Sequence, residues 1–336
     1  MPERSTISQG IQIGVETTEG TVAPANKKLS SLSIMPKPNM EFSTFGPMGN
    51  KFDTLVTLNR EWSTADLEGR PTFTEIVYPL SSIMGAAAIT TPATAVNGRQ
   101  WEFAISPTAA DPGVSFTVET GDGTLAERVA GLVVNSLTIG FSRTDDPELS
   151  GDAFARAFTT GATLTATPTE VALIPILPAQ VSVYVDAPGA TPETALGTTK
   201  LTRVQDVSFS ISDRFSQFWA LDAAQNSYVA TLEGKPGATI EFSVMADAAG
   251  MAFINNARAG DTRMIRIQAV STQLVDAGIA ATAYRFTIDA AVKISEVGDR
   301  DDNDGALVVP YTGTIVYDPT WGRAVRLQVV NGLAAL

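Results

Sequence analysis

The chain has 336 residues, of which 44% are hydrophobic and 18% charged, values typical of a globular protein rather than a disordered one. Its 23 basic and 36 acidic residues give a net charge of −13, which argues against tight binding of nucleic acid, because such binding needs clustered cations. Cysteine and histidine are both absent, which excludes disulfide bonds, thiolate and imidazole metal sites, cysteine nucleophiles and a Ser-His-Asp triad.

Neither the first residues nor the apolar runs suggest a membrane or secretory segment. Residues 1–6 contain no apolar stretch of the kind found at the centre of a secretory signal, so we expect none there. No run approaches 18 consecutive apolar residues, so we expect no membrane-spanning helix.

Alternating apolar and polar residues dominate the chain and predict β-strands. The pattern occurs at residues 11–15, 101–105, 114–118, 181–185, 207–211, 240–244, 265–267, 284–288 and 314–317. Such alternation places one face of a strand in a core and the other in water, as in antiparallel sheets. The predicted fold class is therefore mainly β.

Two short helices are predicted among the strands. Residues 248–259 carry apolar side chains at helical spacing and precede Gly260, a favourable C-terminal cap. Residues 73–84 also fit a helical period, but Pro79 in their middle would remove a hydrogen bond. We therefore predict a strand through Tyr78, followed by a short helix with Pro79 at its first position.

The order of these features repeats along the chain, at an offset that drifts by a few residues. Residues 11–15 correspond to 181–185, 28–32 to 200–204, 42–45 to 215–218 and 57–58 to 231–232. Insertions in surface loops produce such a drift, although chance similarity between β-rich segments is the alternative. We therefore predict two tandem domains of β-sandwich or half-barrel type, each with one short helix.

The repeat also predicts the domain boundaries. The first domain, with an N-terminal arm, is expected over residues 1–165, and the second, with a C-terminal tail, over residues 180–336. Residues 166–179 are rich in proline and are expected to form an extended linker.

Several segments, taken in order, resemble the major tail (tail tube) proteins of long-tailed bacteriophages. They are residues 10–21, 201–204, 214–216, 257–267 and 318–322. The likeness covers nearly the whole chain, and its specificity lies in the ordered combination. The simplest members of that family carry one tube fold per chain, so the duplication is a departure that leaves the number of chains per ring open.

The resemblance implies a structural protein of the virion that has no cofactor. In that family, copies of the tube fold join sheet edge to sheet edge in a ring, and the rings stack into a hollow tube that carries DNA to the host. The implied partners are other copies of the chain, the tape measure protein and the tail terminator, while DNA passes through without tight binding. The implied location is the virion tail, assembled in the cytoplasm of the host bacterium.

Two tube folds per chain allow two kinds of ring. Six folds per ring would need three chains, giving a homotrimer with pseudo-sixfold symmetry. The alternative is a hexamer whose second fold decorates the outside of the tube. In either case an acidic lining would repel phosphate, in keeping with the net charge.

Apolar residues near predicted turns are candidates for contacts between subunits or between stacked rings. They are Phe42, Phe45, Met48, Phe215, Phe218 and Trp219. Aromatic residues are enriched at the centres of interfaces, although the same residues also suit an ordinary core. We identify no catalytic, cofactor-binding or metal-binding residues.

Other functions have weaker sequence signals. Residues 299–305 are acidic, but Asp304 and Pro310 occupy the positions where an EF-hand needs glycine and glutamate, so an exposed turn is predicted. Carboxylates are plentiful without a distinctive spacing, so no enzyme is predicted. The alternative function is a tandem β-sandwich adhesin or carbohydrate-binding module, whose binding face would use Trp62, Trp101, Trp219 and Trp321.

Overall fold

The protein is mainly β in its computed structural model, in which the described residues are 56% strand and 7% helix and include two short α-helices, so the predicted fold class is confirmed. The structure describes residues 9–92, 95–122, 125–187, 196–222, 226–277, 281–303 and 305–336. Within these ranges, no helix is both long and apolar enough to span a membrane.

The elements follow one another in two similar series. The first series is β1 (Gly10–Val15), β2 (Lys27–Leu29), β3 (Leu32–Phe45), β4 (Leu55–Gly69), α1 (Val77–Met84), β5 (Ala88–Thr90), β6 (Arg99–Ala104), β7 (Phe116–Gly121), β8 (Ala126–Ser142), β9 (Glu148–Ala155) and β10 (Phe158–Ala162). The connecting segment contains β11 (Thr169–Glu170) and a 3₁₀ helix at Pro178–Gln180. The second series is β12 (Val181–Asp186), β13 (Lys200–Leu201), β14 (Val204–Ser212), β15 (Phe215–Phe218), β16 (Ala230–Glu233), β17 (Gly237–Met245), α2 (Ala248–Ala259), β18 (Thr262–Asp276), β19 (Thr282–Val297), β20 (Asp301–Asn303), β21 (Ala306–Ile315) and β22 (Val325–Asn331).

The strand pairings of the first series recur in the second. β1 pairs with β2 and β7, as β12 pairs with β13 and β18. β8 pairs with β7, β9 and β10, as β19 pairs with β18, β21 and β22. β4 lies between β3 and β9, as β17 lies between β14 and β21. The repeated order of sequence features thus corresponds to a repeated topology.

Four strands from each series join into one continuous antiparallel sheet, which we call the main sheet. Its order is β3–β4–β9–β8–β14–β17–β21–β19. β8 and β14 form the joint between the halves, where residues 137–142 pair with residues 206–211. The same four-strand unit therefore occurs twice, and its second copy continues the first.

The apolar face of the main sheet packs against the helices and a second layer of strands. In the first half, Ile13 of β1, Phe116 of β7, Tyr78 of α1 and Leu67 of β4 line one small cavity, so these elements face one another. A single hydrophobic cluster continues into the second half, where it includes Phe242. Burial of this face supplies the main free energy of folding.

The first helix differs from its prediction. α1 begins at Val77, so residues 73–78 form turns and the start of the helix rather than a strand, and Pro79 is the third helical residue rather than the first. The first N–H groups of a helix have no intrahelical acceptor, so proline removes no hydrogen bond there. The second helix, α2, is confirmed, with Gly260 in the left-handed region at φ 66°.

An insertion in the first half forms a second joint. β5 and β6 lie between α1 and β7, where the second half has only Gly260 and Asp261. β6 pairs with β22 in antiparallel register. The insertion is held further by Asp276 of β18, whose carboxylate accepts the N–H groups of Val96, Asn97 and Gly98 at 2.8–3.1 Å.

This carboxylate predicts a stability change in acid. The N–H of Asn97 is the largest cause that holds the pKa of Asp276 below its ordinary value. A folded-state pKa below the unfolded one stabilises the fold at pH values above about 3.9, and this contribution disappears as pH falls through the folded pKa. We expect Asp276→Asn to lower the melting temperature at pH 7, and the two proteins to converge in acid. A constant difference across pH 2–7 would contradict this role.

Candidate subunit interface

Each half of the chain carries a β-hairpin arm at the same place in the fold. The first arm, residues 42–58, is the end of the β3–β4 hairpin, and the second arm, residues 215–233, contains β15 and β16. Phe42 and Phe45 occupy the same two register positions in the first arm as Phe215 and Phe218 in the second. The aromatic candidates of the two halves are therefore structural counterparts.

An irregularity at the base of each arm separates it from the main sheet. In the first half the register of β3 and β4 shifts between Glu41 and Phe42. In the second half the strand is interrupted at Asp213, which has a φ of 55°. Aspartate is among the few residues other than glycine that adopt this left-handed conformation at modest cost. The second arm consequently leaves the sheet as a separate two-stranded ladder.

The second arm is docked on the first half of the chain. Phe215 and Tyr228 are buried in a cluster with Val133 of β8 and Phe154 of β9. The Tyr228 hydroxyl donates to the carbonyl of Gly131 at 2.9 Å. Phe215 is therefore a core residue of the folded chain rather than a free contact.

Two tryptophans and an arginine cover the edge of this cluster. The rings of Trp62 and Trp219 meet edge to face, with centroids 5.8 Å apart. The Arg60 guanidinium lies 5.0 Å from the Trp219 ring centroid and 5.4 Å from that of Trp62, within the range of a cation–π contact. Trp219 thus contributes to the docking, whereas Phe218 on the same arm remains 47% exposed.

Arg214 anchors the base of the second arm. Its side chain is fully buried. It donates to the carbonyl of Ile83 in the last turn of α1 at 3.1 Å and to the carbonyl of Asp111 at 2.9 Å, and its third contact is an ion pair with Glu233 at 2.5 Å. A cation near the C-terminus of a helix is also favourable for the helix dipole. The arginine therefore joins the arm to both α1 and the loop at residue 111.

The first arm projects its apolar side chains into solvent. Phe42 is 54% exposed and Phe45 is 56% exposed, while Met48 at the tip is fully exposed. Phe52, Leu55 and Val56 of the same arm are also exposed. A concentration of exposed apolar surface of this kind marks an interaction site.

Each arm has an ion pair at its base, with the acidic and basic residues in reversed order along the chain. Glu41, which precedes the first arm, forms an ion pair with Arg60 at 2.5 Å. Arg214, which precedes the second arm, forms its ion pair with Glu233. The first pair is exposed and the second is largely buried, so only the second contributes strongly to holding an arm in place.

The face of the main sheet opposite the helices is polar and acidic. Its exposed charged residues are Lys37, Asp66, Glu68, Glu148, Asp152, Asp206, Glu241, Lys293 and Glu296. Acids outnumber bases along strands of both halves, and one base, Lys37, is already paired with Asp66 at 2.5 Å. The local charge has the same sign as the net charge of the chain.

Two sequence candidates for other functions occupy ordinary structural positions. Trp101 is buried and donates to Asn331 at 3.0 Å, so the four tryptophans do not share one exposed face. In the acidic segment, Asp301–Asn303 pair with residues 306–308 as a hairpin, in which Asp302 accepts the N–H of Gly305 at 2.6 Å. Asp304 lies outside the described residues.

Several docking residues escape sequence analysis. Arg214, Asn135 and Tyr228 make the polar contacts of the second arm, including a hydrogen bond from the N–H of Phe215 to the Asn135 side chain at 2.8 Å. None belongs to an alternating pattern that points to the arm, and Arg214 is distinguished only by its place beside Phe215. These contacts join residues far apart in sequence, so only the fold brings them together.

Comparison of the sequence with models of known protein families and with curated proteins finds no match.

Proposed function

We propose that the protein is a structural component of a bacteriophage tail tube, which assembles with copies of itself into rings that stack around a passage for DNA. The observation that carries this proposal is the duplicated main sheet. The last strand of its first unit, β8, accepts the first strand of the second unit, β14. A unit that already joins a copy of itself within one chain can join further copies between chains in the same way.

The same observation bears on the proposed number of chains per ring. The second unit continues the sheet of the first and does not lie outside it. This supports a ring of three chains with pseudo-sixfold symmetry over a hexamer whose second domain decorates the exterior. Closed rotational symmetry would leave no sheet edge open in the finished ring.

The acidic face of the main sheet is suited to line the passage. Carboxylates along strands of both halves would repel the phosphates of DNA, so the genome would slide without adhering. The proposed partners are therefore other copies of the chain and the tape measure and terminator proteins of the tail. The proposed location is the virion tail.

The exposed tip of the first arm is suited to contact a stacked ring. We expect Phe45→Ala to shorten tubes while changing the melting temperature of the unassembled chain little, because Phe45 is half exposed there. Phe215→Ala is the contrasting variant, since loss of a buried ring costs about 3–5 kcal/mol. Tube length by electron microscopy and unfolding by circular dichroism measure the two effects. Equal destabilisation by both variants would place Phe45 in the core instead.

Electron microscopy of the purified protein tests the function directly. Rings or tubes with three chains per ring are the expected result. Six chains per ring would exclude the trimeric ring but would still support the tail-tube function. Discrete monomers that bind immobilised glycans would replace the proposal with the adhesin alternative.

A further inference from the structure

Among the described residues, the outermost strands of the main sheet, β3 and β19, each leave one edge unpaired there, and they are counterparts of β14 and β8, which form its internal joint. β8 and β19 have the same register shift against their neighbouring strands β9 and β21. When the two units are aligned on this shift and on their strand pairings, Val297 of β19 corresponds to Leu137 of β8, and Pro38 of β3 corresponds to Ile211 of β14. Leu137 and Ile211 face each other in the internal joint. The counterpart positions, 297 and 38, lie at opposite ends of the sheet.

Burial differs between the joined and the open edges. Leu137 and Ile211 are 0% and 1% exposed, because each is covered by the strand across the joint. Val297 is 39% exposed although its ladder partner Tyr311 belongs to the core, and Pro38 is also exposed. At both ends of the main sheet, the core-facing positions are therefore more exposed than the corresponding positions in the internal joint.

The β3 edge is barred from pairing with a second β3 edge. Pro36 and Pro38 lie two residues apart, so their missing N–H groups belong to the same side of the strand. Proline in an edge strand takes positions whose N–H would face away from the neighbouring strand, so with β4 on one side of β3 the missing donors belong to the open edge. If two β3 edges paired with the prolines opposite each other, carbonyl groups at these positions would face residues that have no N–H to donate. A strand that supplies N–H groups is the complementary partner.

The β19 edge is barred from pairing with itself by charge. Glu296, Asp299, Asp301 and Asp302 follow one another along this edge, with Arg300 among them. Antiparallel pairing of two such edges would bring carboxylates together, which is destabilising. Val297 and Asp299 keep their N–H groups. Lys37 of β3, which is paired with Asp66 of its own chain, lies near the register position that would face this acidic segment.

We propose that these edges pair with each other between copies of the chain, head to tail, with Pro38 of one copy opposite Val297 of the next. This inference rests on the proposed ring and adds its register and its specificity. The prolines and the acidic segment exclude pairing of like edges, so each contact has the same direction. Head-to-tail contacts of this kind generate a closed ring when the rotations from one copy to the next add up to a full turn.

Disulfide trapping tests the register, and the absence of cysteine makes the background zero. The variant Pro38→Cys/Val297→Cys places one cysteine on each edge, at positions that face each other across the proposed joint. The matched control is Pro38→Cys/Glu296→Cys, because neighbouring residues of a strand point to opposite faces. Both proteins are oxidised at assembly concentration and analysed by non-reducing electrophoresis and electron microscopy.

We expect the first variant to form covalent multimers ending at a closed trimer, and the control to yield at least tenfold less. Rings without cross-links, or equal cross-linking in both variants, would overturn the register while leaving the ring intact. Wild-type protein that forms no rings would overturn the proposed function and this inference with it. A third variant, Val297→Lys, should remove rings with little change in the melting temperature, and persistence of its rings would also overturn the joint.

Discussion

Replacing Arg214 with methionine is expected to lower the free energy of unfolding by about 3–5 kcal/mol, the usual cost of removing one partner from a buried ion pair. The guanidinium is fully buried, and its loss would leave Glu233 without its cation and the carbonyls of Ile83 and Asp111 without this donor. The second arm should then separate from α1. Urea unfolding measures the stability, and tryptophan fluorescence reports the environment of Trp219.

The first arm supplies the control for this prediction. Glu41→Gln removes the corresponding ion pair, in which Glu41 is 46% exposed and Arg60 is 42% exposed. Exposed ion pairs contribute about 0–1 kcal/mol, so this variant should unfold close to the wild type. If Arg214→Met were as mild as Glu41→Gln, the docked arm would not depend on its arginine.

Replacing Asp289 with alanine should have a comparable effect, about 3–5 kcal/mol, for a different reason. The Asp289 carboxylate is fully buried between Arg266 and Arg326, which it contacts at 2.6 and 2.9 Å. Removing it would leave two largely buried guanidinium groups without this counter-charge. β22, which carries Arg326, also pairs with the inserted strand β6, so the loss should weaken the joint between the halves.

A triple replacement separates the charge from the packing. Asp289→Leu combined with Arg266→Met and Arg326→Met keeps apolar volume and removes all three charges. Replacing a whole buried ionic cluster in this way is often neutral or stabilising. The triple variant should therefore recover most of the stability that Asp289→Ala loses, as measured by urea unfolding. A triple variant less stable than the single one would show that the hydrogen bonds matter more than the unpaired charge.

The sequence pattern identifies residues 42–45 and 215–218 as counterparts, but it does not show which of the two arms is docked and which is exposed. Phe42 and Phe215 have the same local pattern and the same register position, yet one is 54% exposed and the other is buried. The difference arises because the second arm meets Val133 and Phe154 of the preceding unit.

Pro79 is compatible with the first turn of α1, which is why the helix begins earlier than predicted. The helical period holds over residues 77–84, and Pro79 does not interrupt it because it falls in the first turn of the helix. The strand that precedes α2 is β17, and its counterpart in the first half is β4, which ends at Gly69, so no strand leads directly into α1. A loop of different length between strand and helix accounts for the error.

Local patterns by themselves determined that the chain is mainly β, that α2 ends at Gly260, and that its features recur in one order. These properties depend on side-chain alternation and on backbone preference, which act over a few residues. Only the tertiary structure decided that β8 pairs with β14, that Arg214 is buried against α1, and that the sheet ends at Pro38 and Val297 with its core side open. Those outcomes depend on which distant edges and faces meet, and many such pairings satisfy the same alternation equally well.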